Sequence, residues 1–219
     1  MTPPQIRVDI VSDVMCPWCI IGYLELEQAS RQTGIGLGLR WHPFELNPDM
    51  PPEGEDMTDH ITRKYGITTE QSAQNRAALS ERGAALGFTF AFGPEMRMRN
   101  SFRAHQLIDW AEGHGAQHAV KLALLTAHFT DNRDVDDPDV LAAIAAEAGL
   151  EADAARAAVA SDAHADAVRR KQAFWHQQGV TGVPAMVFDQ KYLFTGAQGV
   201  AQYAQILQHL ATQTDQAHG

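Results

Sequence analysis

Apolar and polar positions divide the chain into three stretches with different periods. Ile6-Arg7-Val8-Asp9-Ile10 alternates with the two-residue period of a strand, and residues 17–33 carry a helical stretch that stops at Gly34. The predicted opening is strand 6–13, helix 17–33, strand 36–44, a βαβ unit. Pro43, Pro48, Pro51 and Pro52, with Gly54 and acidic neighbours, mark an exit from sheet into loop. From about 57 to 178 the periodic segments read as helical. Ala104, Leu107, Ile108 and Ala111 form one stripe, with Asn100 or Ser101 placed to cap it. Leu122, Leu125 and Phe129 form a second, and Asp137-Pro138 opens a third helix that stops at Gly149. Alanine and arginine dominate 152–178, ending at Gly179. Strand character returns at 185–188 and 192–195, joined through Asp189-Gln190-Lys191 as a hairpin, before a last helix over 199–212. The fold class is therefore α/β: residues 1–50 and 180–219 form one discontinuous sheet domain, and 51–179 form an all-helical insertion.

Length and charge narrow the partners. At 219 residues and 24.0 kDa the chain is long enough for one large domain or a small one with an insertion. A net charge of −10 argues against nucleic acid or an anionic membrane, both of which require a basic face. No apolar run approaches a membrane span. The start, Met1-Thr2-Pro3-Pro4-Gln5-Ile6, lacks a charged region and an apolar core, which predicts a cytoplasmic protein. In that compartment cysteines rest as thiols, so a disulfide would be a working intermediate.

Both cysteines fall in Cys16-Pro17-Trp18-Cys19, between the first strand and the first helix. Helical residues three apart lie about 5–6 Å from each other at Cβ, within reach of a disulfide after small adjustment. Cys16 at the helix N-terminus would have its thiolate favoured by unpaired N–H groups and the helix dipole, which makes it the attacking sulfur and Cys19 the resolving one. Pro17 is tolerated in the first turn, and Trp18 places an apolar surface beside the sulfur. A zinc site would need a second ligand pair; there are no further cysteines, and His114 and His118 are separated by Gly115, so no metal is expected. The acidic stretch 131–137 lacks the glycine and glutamate of a calcium loop and reads as a solvated turn.

Five stretches in order carry a family resemblance: Ser12-Asp13-Val14-Met15-Cys16-Pro17-Trp18-Cys19, Trp41-His42-Pro43-Phe44-Glu45-Leu46-Asn47-Pro48, Asn100-Ser101-Phe102-Arg103-Ala104-His105, Gly182-Val183-Pro184, and Gly196-Ala197-Gln198. Together with the element order they resemble the thioredoxin fold, and within it the DsbA-type superfamily in its FrnE-like cytoplasmic branch. That resemblance implies a nucleophilic Cys16, a resolving Cys19 and a cis Val183–Pro184 bond beside the sulfurs, where Val183 can pair with an extended substrate. It also implies that the Asn100-Ser101 cap faces the active-site cleft. The same branch is similar to kappa-class glutathione transferases and 2-hydroxychromene-2-carboxylate isomerases, which generally carry serine at the position of Cys16 and hold glutathione there.

Further candidates have plainer readings beside the chemical ones. Asp13 can influence Cys16 or shuttle a proton to Cys19, or simply form a turn. His105 sits beside a packed stripe, where a structural hydrogen-bonding role is favoured over a catalytic one. Arg97/Arg99 and Arg169/Arg170/Lys171 read as solvated charges, with anchoring of an acidic thiol as the lesser role. The expected activity is thiol–disulfide oxidoreduction on protein or small-molecule disulfides, with no tightly bound cofactor and glutathione as an optional thiol co-substrate. A glutathione-dependent transferase or isomerase, and a redox-sensing binding module, are the alternatives; a homodimer is left open.

Overall fold

A computed structural model describes residues 5–161 and 163–217. Residues 1–4, part of the segment read above for a leader, and 218–219, the end of the expected sheet domain, lie outside the described residues. The chain opens with β1 (Gln5–Ser12), α1 (Pro17–Thr33) and β2 (Gly36–Pro43). Gly34 closes α1 in the left-handed conformation, φ 70°, with its N–H on the Ser30 carbonyl. Then come β3 (Glu55–Asp56), α2 (Met57–Tyr65), α3 (Thr69–Ala85), β4 (Arg97–Met98), α4 (Phe102–Glu112) and α5 (Gln117–Phe129). The remaining elements are α6 (Pro138–Glu147), α7 (Ala152–Ala160), α8 (Ala165–Gln177), β5 (Ala185–Phe188), β6 (Tyr192–Thr195) and α9 (Val200–Ala217).

Strands from both ends of the chain share one sheet, in the order β2-β1-β5-β6. β1 runs parallel to β2, with Ile10 opposite Trp41, and antiparallel to β5, with Ile10 opposite Met186. Ile6, Val8 and Ile10 point into a core shared with Ile21 and Leu26 of α1 and Leu207 of α9; the same cluster continues to Leu107, Leu124 and Leu125 of the helical block. Val11 enters a second cluster on the other face with Phe44, Trp175 and Val180. Burial on both faces explains why the alternation of β1 ends in the doubly apolar Ile10-Val11. Gly22 lets α1 lie close to the sheet, because a Cβ there would meet Pro184 Cγ at 3.2 Å and Met186 Cε at 3.3 Å.

The helical stretch departs from the expectation or refines it in four places. It contains a short antiparallel ribbon, β3 with β4, whose two-residue strands are too short to show a period. The 152–178 segment is two helices, because Ser161 takes an extended conformation, φ −95° and ψ 152°, at the end of α7. In α5 the buried stripe is Val120, Lys121, Leu124, Leu125, His128 and Phe129, while Leu122 is only partly buried. At α4, Ser101 occupies the cap position without a side-chain cap bond, and it is the Asn100 carboxamide oxygen that accepts from the Phe102 N–H at 2.9 Å.

Candidate active site

The site is built at the head of α1. Cys16 is the N-cap residue, with φ −101° and ψ 111°, and Pro17 begins the helix where a missing N–H costs nothing. The Cys19 N–H returns to the Cys16 carbonyl at 3.0 Å, which brings the two side chains to the same side. Both are present as thiols; Cys16 is 4% exposed and Cys19 wholly buried. Burial pushes the Cys19 thiol well above its ordinary pKa, and its hydrogen bond to the Cys16 sulfur raises it further. The Val183–Pro184 peptide is cis, and the Cys16 thiol donates to the Val183 carbonyl at 3.5 Å. Thus the strand that begins at Ala185 and the helix that begins at Pro17 meet at the sulfurs.

Asp13 shapes the loop that carries Cys16. Its carboxylate is fully buried and accepts from the Met15 N–H at 3.1 Å and the Leu46 N–H at 2.7 Å. Burial alone would raise its pKa, but the His105 contact and these backbone bonds outweigh it and hold the carboxyl below the ordinary range. His105 Nε2 lies 2.9 Å from the Phe44 carbonyl oxygen and 3.5 Å from Asp13 Oδ1. Both residues therefore fix the backbone on either side of the site.

Outside the sulfurs lies a cleft of about 510 Å³, reached by Cys16, Trp18 and Val183. Its apolar walls are Met15 of the β1–α1 turn together with Ile61, Tyr65, Leu79 and Met98 from the helical block. Lys64 supplies the cation: its Nζ donates to the Leu46 carbonyl at 2.7 Å and to Asn47 Oδ1 at 2.5 Å, and its third N–H has no hydrogen-bond partner among the described residues. Burial lowers the Lys64 pKa, partly opposed by the charges of Asp13 and Cys16. Trp18 is 42% exposed at the rim, with the Arg82 guanidinium 5.3 Å over its ring.

The structure thus gathers Cys16, Cys19, Pro17, Trp18, Val183, Pro184 and Asp13 around one point, with His105 behind Asp13. Asn100 is not on this cleft. It lines a separate depression with Phe102, Arg103 and Asp136, and its Nδ2 donates to the Met50 carbonyl at 3.0 Å; neighbouring Ser101 is buried. The expectation that the α4 cap faces the cleft is therefore corrected, because the preceding loop is tied down toward Met50. Most of the basic residues read as solvated are tied to neighbours: Arg169 pairs with Glu45 and lies 3.8 Å over Phe102, Lys171 bridges Asp109 and Glu112 at 2.6 Å, Arg99 meets Asp134 at 2.8 Å, and Arg97 donates to the Glu53 and Gly54 carbonyls; Arg170 is exposed, in line with the expectation. Sequence reasoning did not find the cleft wall of α2 and α3, nor the burial of Lys121. The only signal for Lys121 was its place at i, i+3 and i+4 spacing to Leu124 and Leu125.

Two thiols at the first strand-to-helix turn, set against a proline that opens an antiparallel strand, define a thioredoxin-type fold of the DsbA kind. The chain belongs to the DSBA-like thioredoxin domain family, whose match spans residues 7–208. It is 32% identical to a probable DsbA oxidoreductase from Streptomyces coelicolor, covering 93% of this chain and 89% of that one, with a TM-score of 0.85. A 2-hydroxychromene-2-carboxylate isomerase shares the fold at 15% identity, 96% and 98% coverage and a TM-score of 0.72. The cytosolic disulfide reductase DsbM from Pseudomonas aeruginosa, solved with glutathione, shares it at 16% identity, 94% and 99% coverage and a TM-score of 0.63.

Proposed function

We propose that the protein is a thiol–disulfide oxidoreductase in which Cys16 attacks a substrate disulfide and Cys19 resolves the mixed disulfide. The observation that carries this reading is the asymmetry of the two thiols: Cys16 borders the cleft, and Cys19 is sealed behind it with its thiol held protonated by burial. The outer sulfur is the one a substrate can meet. The inner one attacks only after the outer has formed its bond. Pro184 and the Val183 backbone complete the substrate surface. In this reading residues 1–50 and 180–219 are the thioredoxin-like domain, and the insertion 51–179 supplies the apolar wall and Lys64. That wall suits an apolar peptide segment or a small thiol. Lys64 suits a carboxylate, so glutathione is a fitting co-substrate, and the cytoplasm a fitting location. Membership in the DSBA-like family and the likeness to the Streptomyces oxidoreductase support the assignment.

The test is trapping. Incubated with a disulfide-bonded protein, Cys19→Ser accumulates a covalent adduct at Cys16, and Cys16→Ser yields none. Isomerase or conjugation turnover that persists in a variant lacking both thiols would replace this reading with the glutathione-dependent one.

A further inference from the structure

The two edges of the sheet are finished differently. At β2 the Gln117 carboxamide of α5 takes the place of a further strand: its oxygen accepts from the Trp41 N–H at 2.9 Å and its nitrogen donates to the Trp41 carbonyl at 3.1 Å. At β6, the last strand in the order, the edge is left open. The Gly196 N–H donates inward to the Pro184 carbonyl at 2.7 Å, so the alternation of the β5–β6 ladder turns the main-chain groups of Leu193 and Thr195 outward. The Gln198 carboxamide donates to the Thr195 carbonyl at 2.7 Å, whereas among the described residues no side chain reaches the main chain of Leu193. Beside this edge lies a groove of about 510 Å³, into which Leu193 and Val187, opposite each other on β6 and β5, both project. The large apolar side chains left exposed among the described residues fall in two places: Trp18 and Tyr65 at the sulfur cleft, and Phe174, Tyr192 and Leu193 here. The charge is equally distinctive. In a chain of net charge −10, Arg7, Arg40 and Lys191 line the groove against a single acid, Asp9. Nearby Asp189 accepts from the Arg7 main-chain N–H at 3.3 Å, and the exposed Lys191 ammonium has no ion pair or hydrogen bond among the described residues.

We propose that the β6 edge and its groove dock an extended acidic segment of a partner protein, which joins the sheet as a further strand antiparallel to β6. The outward Leu193 groups supply the main-chain bonds, and the antiparallel sense is the more stable per residue. Side chains of the added strand alternate between faces, so those over the groove are two apart. An apolar residue opposite Leu193 covers Leu193 and Phe174, and the residue two further along the partner comes opposite Lys191, where an acid meets the free ammonium. The pattern read is therefore apolar, any residue, acidic. A short edge flanked by lysine discourages apolar strands in general, and the same lysine admits an acidic one. A second copy of this chain does not supply the match: residues 191–196, Lys-Tyr-Leu-Phe-Thr-Gly, carry no acid, so β6 paired with itself leaves the cations unmet. The groove shares no lining residue with the sulfur cleft, and the inference does not rest on the dithiol reading.

The experiment is fluorescence anisotropy on the full chain with the labelled peptide Thr-Val-Thr-Leu-Thr-Glu-Thr-Glu. Saturable binding is expected, weakening as salt is raised. Lys191→Glu should weaken it about fivefold, and a peptide with lysine in place of each glutamate should prefer this variant to the unmutated chain. Leu193→Pro removes the outward N–H and leaves the inward ladder intact, a change edge strands tolerate, and should abolish binding with disulfide turnover unchanged. Cys16→Ser should bind the peptide as the unmutated chain does, so failure of the dithiol reading would leave this result standing. An absence of saturation into the millimolar range overturns the proposal, and so does binding that Lys191→Glu leaves unchanged. A dimer in sedimentation that Leu193→Pro dissociates overturns it in favour of a second copy as the occupant. Should the proline variant fail to fold, Lys191→Glu with the two peptides decides the matter.

Discussion

Two depressions of equal volume, about 510 Å³ each, mark opposite parts of the molecule, and their polar groups are arranged in contrary ways. The groove between α8 and the outer sheet face holds Arg7, Asp9, Arg40 and His42, with Phe174 and Leu193 exposed at its edges. Most of its charges are paired: Asp9 binds Arg7 at 2.9 Å and His42 at 2.8 Å, and Arg40 reaches out to Glu112, while among the described residues the exposed Lys191 has no ion pair. Burial would raise the Asp9 pKa, but these partners hold it below the ordinary carboxylate range. The sulfur cleft has fewer charges and leaves them less complete. Its lysine has an N–H without a hydrogen-bond partner among the described residues, its inner thiol is held protonated by burial, and its walls come from helices rather than from the sheet. Size therefore does not identify the reactive depression; incompletely matched polar groups beside an apolar wall do.

The largest effect that sharpens this contrast is loss of chemistry. Cys16→Ser should abolish disulfide turnover, whereas Arg40→Ala in the groove should leave it within about twofold, since surface pairs contribute little. Equal losses in an insulin-reduction assay would erase the distinction. Next, a charge placed in the cleft wall, Ile61→Asp, should lower kcat/KM for a peptide disulfide about tenfold, and Leu193→Asp in the groove should not. That pair reads the substrate surface directly.

Two buried carboxylates, one under each depression, give a smaller and thermodynamic comparison. Asp13→Asn should cost about 3 kcal/mol in urea unfolding, because its fully buried carboxylate holds two backbone N–H groups and faces His105. Asp9→Asn should cost less, since its Arg7 partner is 44% exposed and its charge is partly screened. Both carboxyls have folded pKa values below 3.8, so the stability they confer is present above the unfolded value and is lost as pH falls through the folded one. Each asparagine variant should therefore show a flatter acid limb; an unchanged limb in Asp13→Asn would show that its charge is irrelevant. The smallest effect is Arg7→Ala, below about 1 kcal/mol.

Much of this was readable from residue order. The Ile6–Val11 pattern, the Gly34 stop and the Asp189-Gln190-Lys191 turn signal local geometry, and β1, α1, β2, β5 and β6 follow within a residue or so. The dithiol was legible because its chemistry needs adjacent residues. The cleft was not, because Ile61, Tyr65 and Leu79 sit on helices whose apolar faces look the same whether they meet a core or a substrate. Lys121 was hidden for a related reason: a lysine in a helix stripe reads as solvated until the neighbouring elements close over it. The arginines at 97, 99 and 169 were misread because an ion pair, or for Arg97 a bond to a backbone carbonyl, between residues far apart in sequence leaves no local mark.

The sheet order carries a consequence for synthesis. β1 lies between β2, which follows it closely, and β5, which begins only at Ala185. As the chain leaves the ribosome, β1, α1 and β2 can associate early, and the helical block can condense through contacts close in sequence. The other edge of β1 stays unpaired until the last thirty-odd residues emerge, leaving open main-chain donors and acceptors of the kind that invite aggregation. Val183, which covers Cys16, arrives with the same segment. The nascent chain thus lacks the Val183 cover over Cys16 until the segment that carries β5 has been made.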